Sequence, residues 1–517
     1  MASRPCLRRE TGLLALVLFL LWFAICGLRP LSVPDEGRYP EVAREMLQSG
    51  DYVTPHLNGV AFLDKPILYY WLQTVSFRVL GVNNWSVRLM PVLFGVFGAV
   101  LVFMASWQLF NRRAAYLAVA ALVCNPLYFG ASQYANMDLE VAIWVTATLI
   151  LFLLGRQQVA GSWLRRCLSW LAYAAMGCGV LTKGLIGAVF PLLAIGVWVI
   201  VGWRWRELLH WNLFSGIVIF LLVCLPWYLA VQQQNPEFFH YFFIDQQFER
   251  FSSGGFNNAV PFWFYAPVLL AGLLPWSLWL LKALYNQCRC AFGKNAIDNT
   301  DVRQLLLLWP ALVFIFFSIP QSKIVGYILP VVPPLAMLLG DYLDRKLAQC
   351  GDVLGFWLKH LRAVATAGFV VSLLLILVIP QIPRFEKDSA LPFVRELNVR
   401  MQPGDQMVLY REYAQDLPMY LHNAKPLVVV EDWNNRELMQ KDDWHHDLDF
   451  GIQQLPASRA WFISEEQFAL KLRTVQQTSQ GKVYVLANPR QEAALSERYG
   501  LHTIAHTSKH VLMVTTL

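Results

Sequence analysis

Residues 34–39 read Pro-Asp-Glu-Gly-Arg-Tyr and follow directly on the first membrane-length apolar run, Leu13–Leu28. Two carboxylates and a guanidinium therefore stand where a membrane helix leaves the bilayer. Ionisable groups are costly at that depth and mark functional positions by default. Their placement points to chemistry on a substrate that itself lies partly in the membrane.

The surrounding chain supports a membrane setting. Of its 517 residues, 56% are hydrophobic and 14% aromatic, with 20 Trp, and the mean hydropathy is +0.42. This composition excludes an ordinary soluble domain and suits interfacial aromatic anchoring. A span needs about 20 apolar residues. Runs of that kind occupy 12–29, 87–109, 114–130, 138–155, 167–183, 185–202, 212–231, 261–283, 303–319, 325–341 and 362–380. The expected fold is a polytopic α-helical membrane protein of about 11–13 transmembrane helices, followed by a C-terminal extracytoplasmic α/β domain. The first run, preceded by Arg4, Arg8 and Arg9, reads as an uncleaved first span.

Charge sets the orientation. Arg4, Arg8 and Arg9, then Arg112 and Arg113, Arg156, Arg165 and Arg166, Arg204 and Arg206, Lys282, Arg289, Lys294 and Arg303, and finally Arg345, Lys346, Lys359 and Arg362 all fall on one side of the spans as drawn. The positive-inside rule makes that side cytoplasmic. The same distribution accounts for the net charge of +7 without a nucleic-acid partner. The nine cysteines lie in apolar runs or on the cytoplasmic side, so no disulfide framework is expected.

The opposite side receives the loop 30–86, the loop 232–260 and the tail 381–517. Within the first loop, Pro40 is expected to open a short surface helix and Gly50 to end it. Segment 66–80 reads as a second interfacial or re-entrant piece. The tail carries short β-rich runs at Gln406–Tyr410, Pro426–Val430, Ala460–Ile463, Lys482–Leu486 and His510–Thr516. They alternate with helical candidates such as Leu391–Val399 and Gln491–Tyr499, the pattern of a small α/β domain. Two parts follow: a membrane catalytic domain over 1–380, which includes the outer loop 30–86, and a C-terminal domain over 381–517.

The ionisable residues at the outer ends of the spans form a one-sided set. Asp35, Glu36 and Arg38 follow the first span, and Asp64-Lys65-Pro66 lies in the same loop. Asp138 opens the fourth span, Lys183 closes the fifth, Asp245, Glu249 and Arg250 lie in the loop 232–260, and Lys323 and Tyr327 open the tenth. Acids among several bases suit an anionic lipid headgroup. Lys and Arg stabilise the charge that develops on a phosphate leaving group as a glycosidic bond breaks, while a carboxylate takes a proton from an acceptor hydroxyl. Asp35 and Glu36 are adjacent and point apart in a regular element, so one is catalytic and the other holds it or binds Arg38. Each residue also has a plain structural reading. Asp35 and Asp138 are good helix caps, Lys183 and Lys323 are natural snorkellers, and Arg250 is a loop charge.

The run from Pro34 through Tyr39-Pro-Glu-Val-Ala-Arg-Glu-Met-Leu-Gln-Ser-Gly, then DKPILYYW at 64–71, resembles the first outer loop of the polyprenyl-phosphate-sugar glycosyltransferases of the GT-C membrane fold. Within them it is most similar to the bacterial lipid A 4-amino-4-deoxy-L-arabinose transferases, relatives of the protein O-mannosyltransferases. LTKG at 181–184, HYFFIDQQFERF at 240–251, PFWFYAPVLLAGLLPW at 261–276 and FFSIPQSKIVGYILPVVPPLA at 316–336 extend the resemblance over most of 12–341. It implies an inverting transfer from an undecaprenyl-phosphate sugar to lipid A at the periplasmic face of the inner membrane. Asp35 matches the family's acidic catalytic residue, with Asp138 beside it in the catalytic set. Glu36, Arg38, Tyr39, Lys65, Lys183, Arg250, Lys323 and Tyr327 are the substrate-binding candidates. Asp64 stands where the family usually has Glu, and with Asp245 it leaves a divalent metal open. Two alternatives remain at this stage: the same donor chemistry on a protein Ser/Thr or another envelope glycan, and a transporter of the same lipid.

Overall fold

The computed structural model describes residues 4–249, 259–293, 299–349, 389–422, 425–439, 443–478 and 481–515, with isolated positions between them. In chain order come α1 (Arg4–Cys26), α2 (Asp35–Ser49), the short hairpin β1 (His56–Leu57) and β2 (Val60–Ala61), α3 (Leu68–Leu80) and α4 (Asn84–Leu109). They are followed by α5 (Arg112–Val123), α6 (Pro126–Ser132), α7 (Asp138–Arg156), α8 (Trp163–Lys183) and α9 (Ile186–Val201). Among the described residues six helices are long and apolar enough to cross a membrane, or up to eight if each of two bent pairs is one span. The expected spans at 114–130 and 261–283 are those bent pairs, broken by 69° and 111°. At the first break Asn125 caps α6 by accepting the Tyr128 N–H (2.8 Å), with Pro126 at the first helical position. At the second, Pro275 removes a backbone donor between Tyr265–Gly272 and Ser277–Phe292. The expected span 362–380 lies outside the described residues apart from isolated positions.

The chain divides into two compact units. The first, 1–26 with 65–69 and 88–379, is the helical bundle. Its basic helix ends meet acids at one end. Arg156 pairs with Glu207 and Asp301 (both 3.1 Å), Arg165 with Glu207 (3.2 Å), Arg204 with Asp301 (2.6 Å) and Arg303 with Asp341 (2.9 Å). Asp138 stands at the other end of α7, roughly 27 Å from Arg156 along the helix axis.

The second unit, 27–64 with 70–87 and 380–517, joins the first outer loop to the C-terminal segment. Its six-stranded sheet comprises β3 (Gln406–Tyr410), β4 (Val428–Val430), β5 (Phe462–Ile463), β6 (Val483–Ala487), β7 (Leu501–His506) and β8 (Val511–Thr515), in the order β5-β4-β3-β6-β8-β7. β3 runs parallel to both neighbours, with Val408 opposite Val428 and Val485. β8 is antiparallel to β6 and β7. Val408, Val430, Val483, Val485, Val511 and Met513 form the core of one face.

One expectation in the outer loop is corrected. The helix that Pro40 was to open begins five residues earlier, at Asp35, and Pro40 lies inside it; Gly50 ends it as expected, with φ 74°. The early start places two acids in the first turn, where the helix dipole favours them. It also buries Glu36, Gly37 and Tyr39 together with Val42, Ala43 and Met46. That burial offsets the hydrogen bond lost at Pro40. Gly37 is required by packing: a Cβ there would lie 2.7 Å from the Asp416 nitrogen and the Gln415 carbonyl carbon.

On the same helix Glu41 is buried against Arg44 (2.5 and 2.6 Å), and Glu45 accepts the backbone N–H groups of Asn58 and Gly59 (2.6 and 2.9 Å). Burial, aided by the neighbouring Glu41 carboxylate, pushes Glu45 up to about 8. The native state therefore holds a proton that the unfolded chain releases near 4.5. This contribution to stability is full at low pH and is lost as pH rises towards about 8. Thermal unfolding of wild type and Glu45→Gln in detergent across that range should show the two curves separating as pH rises, with wild type the steeper. Parallel curves would remove Glu45 from the account.

Candidate active site

In the helical unit, the turn between α8 and α9 sets one cluster. Gly184, at φ 86°, lets the chain reverse immediately after Lys183. Gly187 then packs directly on Gly179 and Val180, where a Cβ would meet backbone at 2.2–2.6 Å. The reversal presents Lys183 to the start of α7, and its Nζ donates to Asp138 Oδ1. The same ammonium lies 4.5 Å from the Tyr327 ring centroid, a cation–π distance. Asp138 does not cap α7 with its side chain; its second oxygen accepts from Asn136 Nδ2 (3.2 Å). Tyr327 belongs to the 3₁₀ turn Val325–Val331 and packs on Phe317, with ring centroids 5.2 Å apart. Gly326 faces the carboxylate so closely that a Cβ would sit 1.9 Å from Asp138 Oδ2. Ile186, Phe190, Phe317 and Pro330 complete a narrow cleft around these groups. The result is a cation in an apolar cleft, paired with a carboxylate and faced by an aromatic ring.

The second unit holds a separate cluster on α2. Arg38 donates from Nη2 to Asp35 Oδ1 (3.1 Å) and to the Tyr39 hydroxyl (3.2 Å), and from Nη1 to Asp447. Burial opposes the Arg38 charge, but Asp447, Tyr39, Asp35 and Asp64 outweigh it and hold the guanidinium well above its ordinary range. Asp35 is the most open of the three ion-pair partners, its side chain 27% exposed against 16% for Arg38 and 10% for Asp447. Glu36 binds Arg29 rather than Arg38. Its two oxygens accept from Arg29 Nη1 and Nη2 (2.5 and 2.9 Å), and one also accepts the Ser32 N–H (2.9 Å).

The remaining candidates are placed as follows. Lys323 is buried, its Nζ donating to the Val260 carbonyl (3.1 Å) and the Pro320 carbonyl. Lys65 is half-buried beside the buried Asp64. Asp245 lies in the helix His240–Glu249, but its side chain, like all of Arg250, is outside the described residues. Among the described residues no group of three or more His, Cys, Asp or Glu is arranged to hold a metal ion. The reading from sequence missed Arg29, Gly326 and Asp447. Arg29 looks like the end of the first span, Gly326 has no polar atom, and Asp447 lies far from the motif it serves.

The chain matches a solved structure, that of ArnT from Cupriavidus metallidurans bound to undecaprenyl phosphate, over 99% of this chain and 98% of that one, with a TM-score of 0.83 and 25% identity. The archaeal oligosaccharyltransferase AglB from Archaeoglobus fulgidus shares the fold alone (TM-score 0.51, 12% identity, 92% of this chain and 70% of that one). A family model, dolichyl-phosphate-mannose-protein mannosyltransferase, matches residues 8–242. The undecaprenyl phosphate-alpha-4-amino-4-deoxy-L-arabinose arabinosyl transferase of Pectobacterium carotovorum is 34% identical over 385 residues, 72% of this chain and 68% of that protein. The chain belongs to this arabinosyl transferase family. The Edwardsiella ictaluri member is 35% identical over 345 residues, 65% of this chain and 60% of its own length. The match thus spans 60–68% of the length of these arabinosyl transferases. Its fold is the GT-C membrane fold with a C-terminal sheet-containing domain.

Gly326 tests whether the cleft geometry matters. Gly326→Ala must displace the Asp138 carboxylate, which Lys183 and Asn136 hold in place. We expect sugar transfer to fall by about 10²-fold, as for small misplacements of reacting groups, while the folded protein is recovered in normal yield. Undiminished turnover would show that this carboxylate position is not critical.

Proposed function

We propose that the protein is an inverting glycosyltransferase that moves 4-amino-4-deoxy-L-arabinose from undecaprenyl phosphate to a lipid A phosphate. It would act at the periplasmic face of the bacterial inner membrane, with the C-terminal domain on the same side. The observation that carries this reading is Lys183, a cation kept in an apolar cleft between Asp138 and the Tyr327 ring. Such a group suits the phosphate of a lipid whose chain stays in hydrocarbon. The ArnT structure bound to undecaprenyl phosphate supports the choice of donor.

In the reaction the bond between the anomeric carbon and the donor phosphate oxygen breaks, and its electron pair leaves with the phosphate. Lys183, with Lys65 and Arg250, offsets the charge that develops there. Asp138 holds Lys183 in position, and Tyr327 forms the wall behind it. The acceptor oxygen bonds to the opposite face of the anomeric carbon, which inverts it. A lipid A phosphate is already ionised, so Asp35 has no proton to remove; it orients the acceptor or stabilises positive charge on the sugar. Glu36 and Lys323 hold their loops in shape. The product carries less negative charge than lipid A and binds cationic peptides more weakly.

The mannosyltransferase family model over 8–242 favours a second reading, the same donor with a Ser/Thr hydroxyl as acceptor. That acceptor needs a base, so Asp35→Asn would then harm transfer more. Mass spectrometry of lipid A from cells with and without the protein should show added aminoarabinose. Lys183→Ala should lower transfer by purified protein about 10²–10³-fold, as for loss of one electrostatic stabiliser. Unmodified lipid A would move the proposal to the second acceptor. Wild-type turnover by Lys183→Ala would remove the phosphate role.

A further inference from the structure

Asp447 is 409 residues from Arg38 in sequence yet is one of its two carboxylate partners. Its place is firmly built. Helix Trp444–Gln454 is capped by Asp443, which accepts the His445 N–H (2.9 Å) and meets the His445 ring at Nδ1 (2.7 Å). The other ring nitrogen reaches Glu431 (3.3 Å), and Trp444 stacks on the same ring at 3.7 Å. Further along, Gly451 seats the helix on β2, where a Cβ would lie 2.4 Å from the Ala61 carbonyl oxygen. Leu448 and Ile452 are buried beside it. Asp447 is thus fixed from the C-terminal domain, and Arg38 must come to it.

The division of Arg38 between two acids has a consequence for Asp35. The more enclosed acid, Asp447, takes one terminal nitrogen, while Asp35 receives the other at the longer distance of 3.1 Å. Arg38 Nε is buried and has no acceptor among the described residues. The guanidinium is therefore oriented by its two carboxylates and not by satisfying all its own donors. Without Asp447, more of the Arg38 charge would fall on Asp35, with Tyr39 and Asp64 as its other neighbours, and would draw the Asp35 carboxylate into a closer pair.

We infer that Asp447, supplied by the C-terminal domain, is a positioning residue that acts through Arg38 to keep the Asp35 carboxylate open for the acceptor. The catalytic part of this inference rests on the transferase reading above; the structural part does not. The C-terminal domain then contributes to the reaction without touching the substrate.

Two readouts on the full-length protein in detergent separate these parts. The first is carbodiimide labelling of Asp35, quantified by peptide mass spectrometry. Asp447→Asn should lower labelling several-fold as Arg38 closes on Asp35, Arg38→Gln should raise it, and Asp447→Glu should restore part of the wild-type level. A purely structural role would lower thermal stability and leave labelling of the folded protein unchanged. The second readout is steady-state transfer from the undecaprenyl-phosphate sugar. Asp447→Asn should lower kcat about 10- to 100-fold, as expected for a misplaced group, with the donor KM nearly constant, and Asp447→Glu should recover part of the loss. Unchanged or increased Asp35 labelling in folded Asp447→Asn overturns the inference whatever the activity. If Asp447→Asn does not fold, the Arg38→Gln and Asp447→Glu labelling decides it by the same criterion. If wild type transfers no sugar, the transferase reading fails while the labelling still judges the role of Asp447.

Discussion

A charged side chain among membrane helices persists only where a partner meets it. Removing one member of a buried ion pair typically costs about 3–5 kcal/mol, because the other charge is left unpaired. Asp138 and Lys183 satisfy this constraint for each other inside the bundle. The pair carries no net charge, so the cleft tolerates it. An ammonium carries three donors, and this one also faces the Tyr327 ring. Under the proposed reading, a lipid phosphate would meet a cation that the fold has already desolvated and oriented against Asp138.

Glycine makes that pairing possible. The carboxylate and the ammonium meet only because the chain turns at Gly184 and closes at Gly187, and because Gly326 leaves room for the carboxylate. Two of these three glycines are contacts rather than conformational requirements: Gly187 and Gly326 do not have positive φ. Their function is to let backbone from a second element approach closely. A side chain at either place would separate the elements that bring Asp138, Lys183 and Tyr327 together.

Much of the fold was legible because its signals are local. Apolar length, one-sided arginines and β-rich runs such as Gln406–Tyr410 each identify an element from its own residues. Of the basic ends expected on one side, Arg156, Arg165 and Arg204 share Glu207 and Asp301, and Arg303 pairs with Asp341. The losses came where local signals compete or vanish. Pro40 is a good helix starter by itself, but burial of the segment 36–46 moved the start to Asp35. Strand β7, with two histidines and a threonine, lies at the sheet edge and exposes much of its length, so it lacks the apolar alternation that reveals a half-buried strand. The Arg38–Asp447 contact joins residues with no shared pattern in sequence. Only the folded second unit brings them together.

The adjacent acids Asp35 and Glu36 show how a single motif divides its labour. Successive residues on a helix point about 100° apart, so burial of one side chain turns the other outward. The fork of Arg29 takes both oxygens of Glu36, and the Ser32 N–H adds a third contact. Those bonds fix the rotation of α2 about its axis. With Glu36 fully buried, Asp35 is left 27% exposed and faces Arg38, one turn further along. Glu36 thereby determines the direction of a carboxylate it never contacts. Exchanging the two acids would preserve charge and composition but would place the shorter side chain against Arg29. The bidentate pair would be lost, and with it the orientation that makes the neighbouring acid available.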